Sequence, residues 1–526
     1  MERAFGAIAL AVAAAPCADA QASAMDLRGP SNPDSSALVT CVEGAGECFS
    51  VLGFAVSGAE TMSADDLLPL YEPYLGRDVS TADLARVAQS ITEYYRDRGF
   101  FLTRAYVPPQ SDDGIARISV VEGRIVEVVT EGPAARLAAP YVNALSQLPI
   151  ARLQDVDRQL TLAGDVPGVD VSSRMEAVEG DPSGHRLIVT AEFKRVEARL
   201  YLDNRGIDAA GPVQAYTWLG QNSVLFNRDQ LSIGVFTIPL DPREFSLAQL
   251  GYSYAFASGD RLNLSASMSS TRDDSGMVVA RGENASMSIA YERPLIRRRN
   301  RGLWLGASFD LRHLESDWTG GSGYVDELRV ARGALRGFLD DNGASTTIFL
   351  RASAGLDVLG ASETSLSRRS RWDADADFVK FDLFASHYRD IGDHFGVYAA
   401  IAGQWADQPL LHSEEFSVGG PPFGRAYSYG ELSGERGIAG SIELRAGGDP
   451  NLDPISFIQG YVFVDSANVW NEGGGSASLA SAGAGVRLTL NDRVTAAVEL
   501  ARPLDGAPAE EGNTDWRQFF SLSATY

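Results

Sequence analysis

The side chains best suited to acid–base work near neutral pH are five histidines, His185, His313, His387, His394 and His412. A hydrolase needs a nucleophile, a base and an orienting group within reach of one another. None of the five stands in such spacing with a serine. Nor is there a metal set, because a structural zinc site draws on about four soft or imidazole ligands and the only cysteines are Cys17, Cys41 and Cys48. The run Gly473-Gly474-Gly475 lacks the Lys-Ser/Thr pair of a phosphate loop and reads as a turn. No cofactor, metal or catalytic residue is expected. Cys41 and Cys48 bracket a short Gly-containing loop, and in an oxidising compartment a local disulfide is expected between them. The alternative is two free thiols buried beside the next strand.

What remains is a question of surfaces. The chain has 526 residues, 45% hydrophobic and 22% charged, with a net charge of −24. That charge excludes nucleic acid as a partner, since phosphate binding needs a basic face. Beyond the first twenty residues no apolar run reaches the roughly eighteen residues of a membrane helix, so a helical transporter is excluded. The first residues read as a secretory signal: Arg3, an apolar stretch over 5–15, and Ala18-Asp19-Ala20 as a small-x-small cleavage site. Cys17 follows Pro16 and does not fit a lipidation box.

Residues 1–20 are thus assigned to a signal peptide and 21–48 to a linker rich in turn residues. Residues 49–123 read as a small α/β module. Residues 49–56 form an apolar strand, and Ser63 caps a short helix ending near Tyr74. Ser80 with Asp83 opens a second helix, in which Leu84, Val87, Ile91, Tyr94 and Tyr95 keep helical spacing up to Gly99. Strands follow at 103–107 and 115–121. Residues 124–194 repeat the order, with a strand at 125–129, helices at 133–148 and 153–162, and strands at 169–175 and 186–193.

From 195 to 526 the period becomes two. Leu303, Leu305, Ala307, Phe309 and Leu311 alternate with Ser308, Asp310 and Arg312, and Ile438, Ile442 and Leu444 alternate with Ser441, Glu443 and Arg445. In the last strand Phe520, Leu522, Ala524 and Tyr526 share a face opposite Arg517, Ser521 and Ser523. Apolar and charged faces on strands of about ten residues suit a barrel with a lipid-facing skin and a wet interior. Tight turns at 257–260, 340–342, 391–393 and 491–492 alternate with long connections at 355–371, 406–435 and 503–515. The expected fold is an all-β transmembrane barrel of about sixteen antiparallel strands, preceded by two small α/β modules in series.

Here the chain resembles a known family, the outer-membrane transporters of two-partner secretion. The first module is similar to a polypeptide-transport-associated (POTRA) domain in its stretch Tyr95-Arg96-Asp97-Arg98-Gly99-Phe100, then Val107-Pro108-Pro109-Gln110, Asp113-Gly114 and Val121-Glu122-Gly123-Arg124-Ile125. In the longest connection, Phe423-Gly424-Arg425-Ala426-Tyr427 resembles the core motif of the family's inward-folding sixth loop. Ala426 stands where the family usually has Gly, which would strain the turn if that position were left-handed. In Gly460-Tyr461-Val462-Phe463-Val464-Asp465, the resemblance makes Asp465 the barrel-wall acid that pairs with Arg425, and Phe463 and Gly460 its neighbours. Arg425 is expected to meet Asp465 through a bidentate contact.

The function this implies is an outer-membrane pore that recognises and secretes a partner exoprotein. The modules would lie in the periplasm and bind extended cargo, with 406–435 folded into the lumen. The implied partners are the unfolded exoprotein, outer-membrane lipid and the barrel-assembly machinery. The alternative is a factor that inserts other barrels, with a passive porin and an enzyme barrel behind it.

Overall fold

The structure is a computed structural model that describes residues 48–111, 113–206, 211–273, 279–321, 323–362 and 368–526. The signal peptide, the linker ahead of residue 48 and the expected pairing of Cys41 with Cys48 lie outside the described residues. Two compact units divide the chain between Phe193 and Lys194.

The first unit holds two α/β modules. In the first module, strand β1 (Cys48–Val51) pairs with β3 (Arg77–Ser80), while β2 (Gly53–Ser57) runs parallel to β5 (Ile115–Val121), which also pairs with β4 (Arg104–Tyr106). Helix α1 (Ala64–Tyr71) and helix α2 (Thr81–Asp97) both begin in capping boxes, Ser63 with Asp66 and Ser80 with Asp83. Helix α2 buries Leu84, Val87, Ile91 and Tyr95, the stripe its spacing predicts. Each such side chain contributes about 1.5–3 kcal/mol by leaving water.

The expected single strand at 49–56 is broken at Leu52, which is 77% exposed. The N–H groups of Leu52 and Gly53 both turn onto Gly114 O, and the two halves join different sheets. The residue types carrying the family resemblance have structural work. Tyr95 is fully buried and donates through its hydroxyl to Glu122 at 2.7 Å. Glu122 also accepts from the N–H groups of Glu60 and Thr61. A side chain at Gly123 would meet Leu102 O at 2.6 Å, so the backbone there needs glycine.

The second module repeats the order. Strand β6 (Arg124–Glu131) lies parallel to β8 (Gly184–Phe193), and β7 (Val169–Ala177) pairs antiparallel with β8. Both three-stranded sheets thus place the last strand in the middle. Helices α3 (Ala135–Val142) and α4 (Leu153–Gly164) cover the sheet. The helix expected over 133–148 is shorter, passing into a 3-10 turn at Asn143–Gln147.

The second unit is a closed antiparallel barrel of sixteen strands. Its first half comprises β9 (Val196–Asp203), β10 (Gln214–Asn222), β11 (Asp229–Thr237), β12 (Phe245–Ala255), β13 (Arg261–Asp273), β14 (Ala280–Arg298), β15 (Arg301–Trp318) and β16 (Tyr324–Asp341). The wall continues through β17 (Ala344–Gly355), β18 (Val379–Asp390) and β19 (Phe395–Ala406). A hairpin of β20 (Phe416–Val418) and β21 (Leu432–Gly434) interrupts the wall sequence. The remaining wall strands are β22 (Arg436–Gly448), β23 (Ile455–Trp470), β24 (Ser476–Leu490), β25 (Val494–Pro503) and β26 (Arg517–Thr525).

Strand β26 pairs back onto β9 and closes the ring. The faces follow the expected alternation: Leu305, Ile442, Leu444, Val462, Val464 and Phe520 are exposed on the outer skin, whereas Ser441, Glu443 and Asp465 are buried inside. Among the described residues no helix is long and apolar enough to cross a membrane. The strands provide the crossing, with every ladder closed.

Candidate functional site

The connection between β19 and β22 is the eleventh-to-twelfth strand loop of the barrel. The β20–β21 pairing, Phe416↔Gly434 to Val418↔Leu432, makes it a stiff hairpin. Its tip folds on itself: the N–H of Gly419 donates to Phe423 O at 3.0 Å, and that of Tyr427 to Gly424 O at 2.9 Å. Val418, Phe423, Ala426 and Tyr427 are buried in one apolar cluster with Tyr461, Phe463, Leu479 and Phe519, side chains on the inner faces of wall strands. The hairpin therefore occupies the lumen.

Arg425 is 3% exposed and sits at the centre of the tip. Its Nη1 donates to Glu443 Oε1 at 2.6 Å and its Nη2 to Ser441 Oγ at 2.8 Å, both on β22. The guanidinium carbon lies over the Phe463 ring, 3.8 Å from its centre. Asp465 on β23 has a different task. Its Oδ2 accepts from the N–H groups of Gly424 and Arg425, at 2.7 and 2.8 Å, and from Ser481 Oγ at 2.7 Å. Its Oδ1 stands 3.4 Å from Arg425 Nε. The expected bidentate Arg425–Asp465 contact is thus divided, with the guanidinium fork going to Glu443 and Ser441 while Asp465 clamps the loop backbone.

The remaining motif residues are placed as follows. Gly424 has φ +106°, and a Cβ there would come within 2.8 Å of Leu479 Cδ1. Ala426 is absent from the left-handed residues among those described, so the strain expected at that position does not arise. Tyr427 donates its hydroxyl to Asp505 O at 2.6 Å, tying the tip to the loop between β25 and β26. Gly460 lies on the outer face of β23 by register with Ala446 and stays apart from the tip. Phe520 and Tyr526 are likewise outside the lumen, and Tyr526 exchanges backbone hydrogen bonds with Ala198.

Further contributors were not foreseen. Glu443 also binds Arg445 and Arg487, at 2.7 and 3.2 Å. Glu499 lies 3.6 Å from Arg425 Nη1 and pairs with Arg205 at 2.5 Å. Arg205 in turn donates to Arg425 O at 3.0 Å, and Arg517 to Ala426 O at 2.8 Å. The alternation already placed Glu443 on the wet face, and that parity was the available signal.

Comparisons with known proteins agree with this architecture. Residues 49–123 match the ShlB-type POTRA domain, and residues 187–488 match the haemolysin secretion/activation protein family ShlB/FhaC/HecB. The chain is 22% identical over 487 residues to the heme/hemopexin transporter protein HuxB of Haemophilus influenzae (strain 86-028NP), covering 87% of this chain and 83% of the relative. It is 23% identical over 409 residues to the outer membrane transporter CdiB of Escherichia coli O6:K15:H31, covering 74% and 68%. Among solved structures, CdiB from Escherichia coli superposes with a TM-score of 0.72 at 19% identity, over 94% of this chain and 93% of that one. CdiB from Acinetobacter baumannii gives 0.61 at 17% identity, over 92% and 91%. A family match across more than half the chain, with the barrel and the α/β modules in place, decides the matter: the chain belongs to the haemolysin secretion/activation protein family and is an outer-membrane transporter of two-partner secretion.

Proposed function

We propose that this transporter holds its pore closed with residues 407–435, and that one exported polypeptide passes through the lumen when the hairpin leaves it. The observation that carries this reading is the buried Arg425, seated by Glu443, Ser441 and Phe463 in the path a substrate would take. The α/β modules, residues 49–123 and 124–194, receive the substrate in extended form. Support comes from the edges of the second module: β6 and β7 have a ladder on one side only among the described residues, over eight and nine residues. An unpaired edge accepts a strand of almost any sequence through its backbone.

No catalytic step belongs to this cycle. Two of the histidines have ordinary polar partners, His313 on Glu327 and His387 on Thr346. Outer-membrane lipid surrounds the apolar skin, and the barrel-assembly machinery inserts the chain. Nucleic acid has no place in it.

Deleting residues 407–435 and recording single channels in planar bilayers tests the plug. The deletion is expected to enlarge the open events or make them more frequent. Indistinguishable traces would remove the hairpin from the lumen's control. In cells, loss of the chain should stop export of an exoprotein carrying an amino-terminal secretion domain. A loss of other barrel proteins instead would point to barrel insertion.

A further inference from the structure

The hairpin enters the lumen with a second charged residue, on the side away from Arg425. Glu414 is 3% exposed, and three cations of the wall converge on it. Arg332 Nη2 on β16 lies 2.7 Å from its Oε1, Lys380 Nζ on β18 lies 2.8 Å from its Oε2, and Arg312 on β15 lies 3.6 Å away. Lys380 also donates to Glu414 O at 2.8 Å. Arg351 on β17 continues the row, 2.9 Å from Asp382. Four adjacent strands thus each present a cation to the lumen. Among the described residues, the wall acids paired with this row are Asp310, 2.6 Å from Arg332, and Asp382.

The loop is therefore charged in two directions. It turns a carboxylate toward β15–β18 and a guanidinium toward the acids Glu443, Asp465 and Glu499 of β22–β25. Withdrawing the hairpin uncovers donors on Arg332 and Lys380 that had been satisfied by Glu414. In a narrow channel with low-dielectric walls, such uncovered charge draws a counter-ion. The species then in the lumen is the exported polypeptide.

We propose that the inner wall of β15–β18 is a track for acidic side chains of the exported polypeptide, and that Glu414 occupies this track while the pore is closed. The proposal rests on the pore reading above and adds the chemistry of the passing chain: carboxylates replace Glu414 along one wall. The loop is then a stand-in for substrate.

The test uses the full chain in planar bilayers, with decaglutamate, decalysine and a neutral Gly-Ser decamer as probes of open events. Decaglutamate is expected to block more often than decalysine by about tenfold, the effect of two ion pairs in a wet channel. In the Arg332→Gln/Lys380→Gln variant that excess should vanish. Glu414→Gln, which leaves the wall's cations in place, should strengthen block by decaglutamate, and it serves if the double variant fails to assemble. Equal block by the three peptides overturns the track and leaves the pore reading standing, as does decaglutamate block that ignores the wall substitutions. Absence of open events in both the wild type and the 407–435 deletion overturns both.

Discussion

Glu443→Gln is the sharpest perturbation of the loop seat. One carboxylate, 4% exposed in its side chain, faces the guanidinium groups of Arg425, Arg445 and Arg487. Replacing it by an amide keeps the shape, removes the charge and leaves three cations together. Removing one partner of a buried ion pair costs about 3–5 kcal/mol. Only part of that acts on the loop, because Arg445 and Arg487 stay on the wall whether the hairpin is in or out. Arg425 moves with the hairpin, so its lost attraction and new repulsion both favour departure. At the low end, about 3 kcal/mol, the ratio of open to closed populations rises about a hundredfold. The assay is open probability in planar bilayers, with heat-resistant mobility in detergent gels to establish that the barrel has formed. Arg425→Lys should behave alike, because an ammonium lacks the planar fork that reaches Ser441 and Glu443 together from its place over Phe463. A folded Glu443→Gln barrel with wild-type open probability would refute the argument, since the guanidinium would then be seated by something other than its shortest contact.

Further outcomes follow from neighbouring contacts. Because Asp465 holds backbone N–H groups and Glu443 holds the guanidinium, the Arg425→Ala/Asp465→Asn double variant should open more than either single one, by about fivefold to tenfold, in the same recordings. Gly424→Ala should unseat the tip and reduce secretion at least tenfold, since φ +106° and Leu479 both oppose a side chain, whereas Ala426→Gly should secrete like wild type. In the first module, burial raises the Asp83 carboxyl, but hydrogen bonds from Ser80 and the charge of Arg86 outweigh it and hold the group below its ordinary value. A carboxyl depressed in the fold stabilises above its unfolded pKa, about 3.9, and loses that contribution as pH falls through the folded value. Asp83→Asn should therefore cost residues 48–193 about 1 kcal/mol at pH 7 in urea unfolding, and the deficit should shrink below about pH 4.

Much of this architecture was legible in the order of residues. The alternation of Ile442, Glu443 and Leu444 sorts lipid from lumen because a strand's period is two and each side has its own solvent. The same parity cannot choose among lumen acids. Glu443, Asp465 and Glu499 all face inward, and the offset between neighbouring strands decides which one the Arg425 fork reaches. Ala426 makes a similar point, since the motif names small residues on both sides of Arg425 and only the folded tip shows that Gly424 carries the left-handed turn. The break at Leu52 is not legible in the sequence, because an apolar run says nothing of which sheet each half will join.

The seam between β26 and β9 has a consequence for how the molecule is made. Asn204 accepts from the N–H of Phe520 and donates to Gln518 O, across 316 and 314 residues of chain, and Tyr526 completes the ladder with Ala198. These contacts join the two ends of the barrel, so no ring exists while β26 is still being synthesised or exported. Until then the nascent wall carries two raw edges, each a template for pairing with a stranger. Loss of β26 should thus yield not a smaller pore but an unsealed sheet, and quality control of this transporter reduces to whether β26 has arrived.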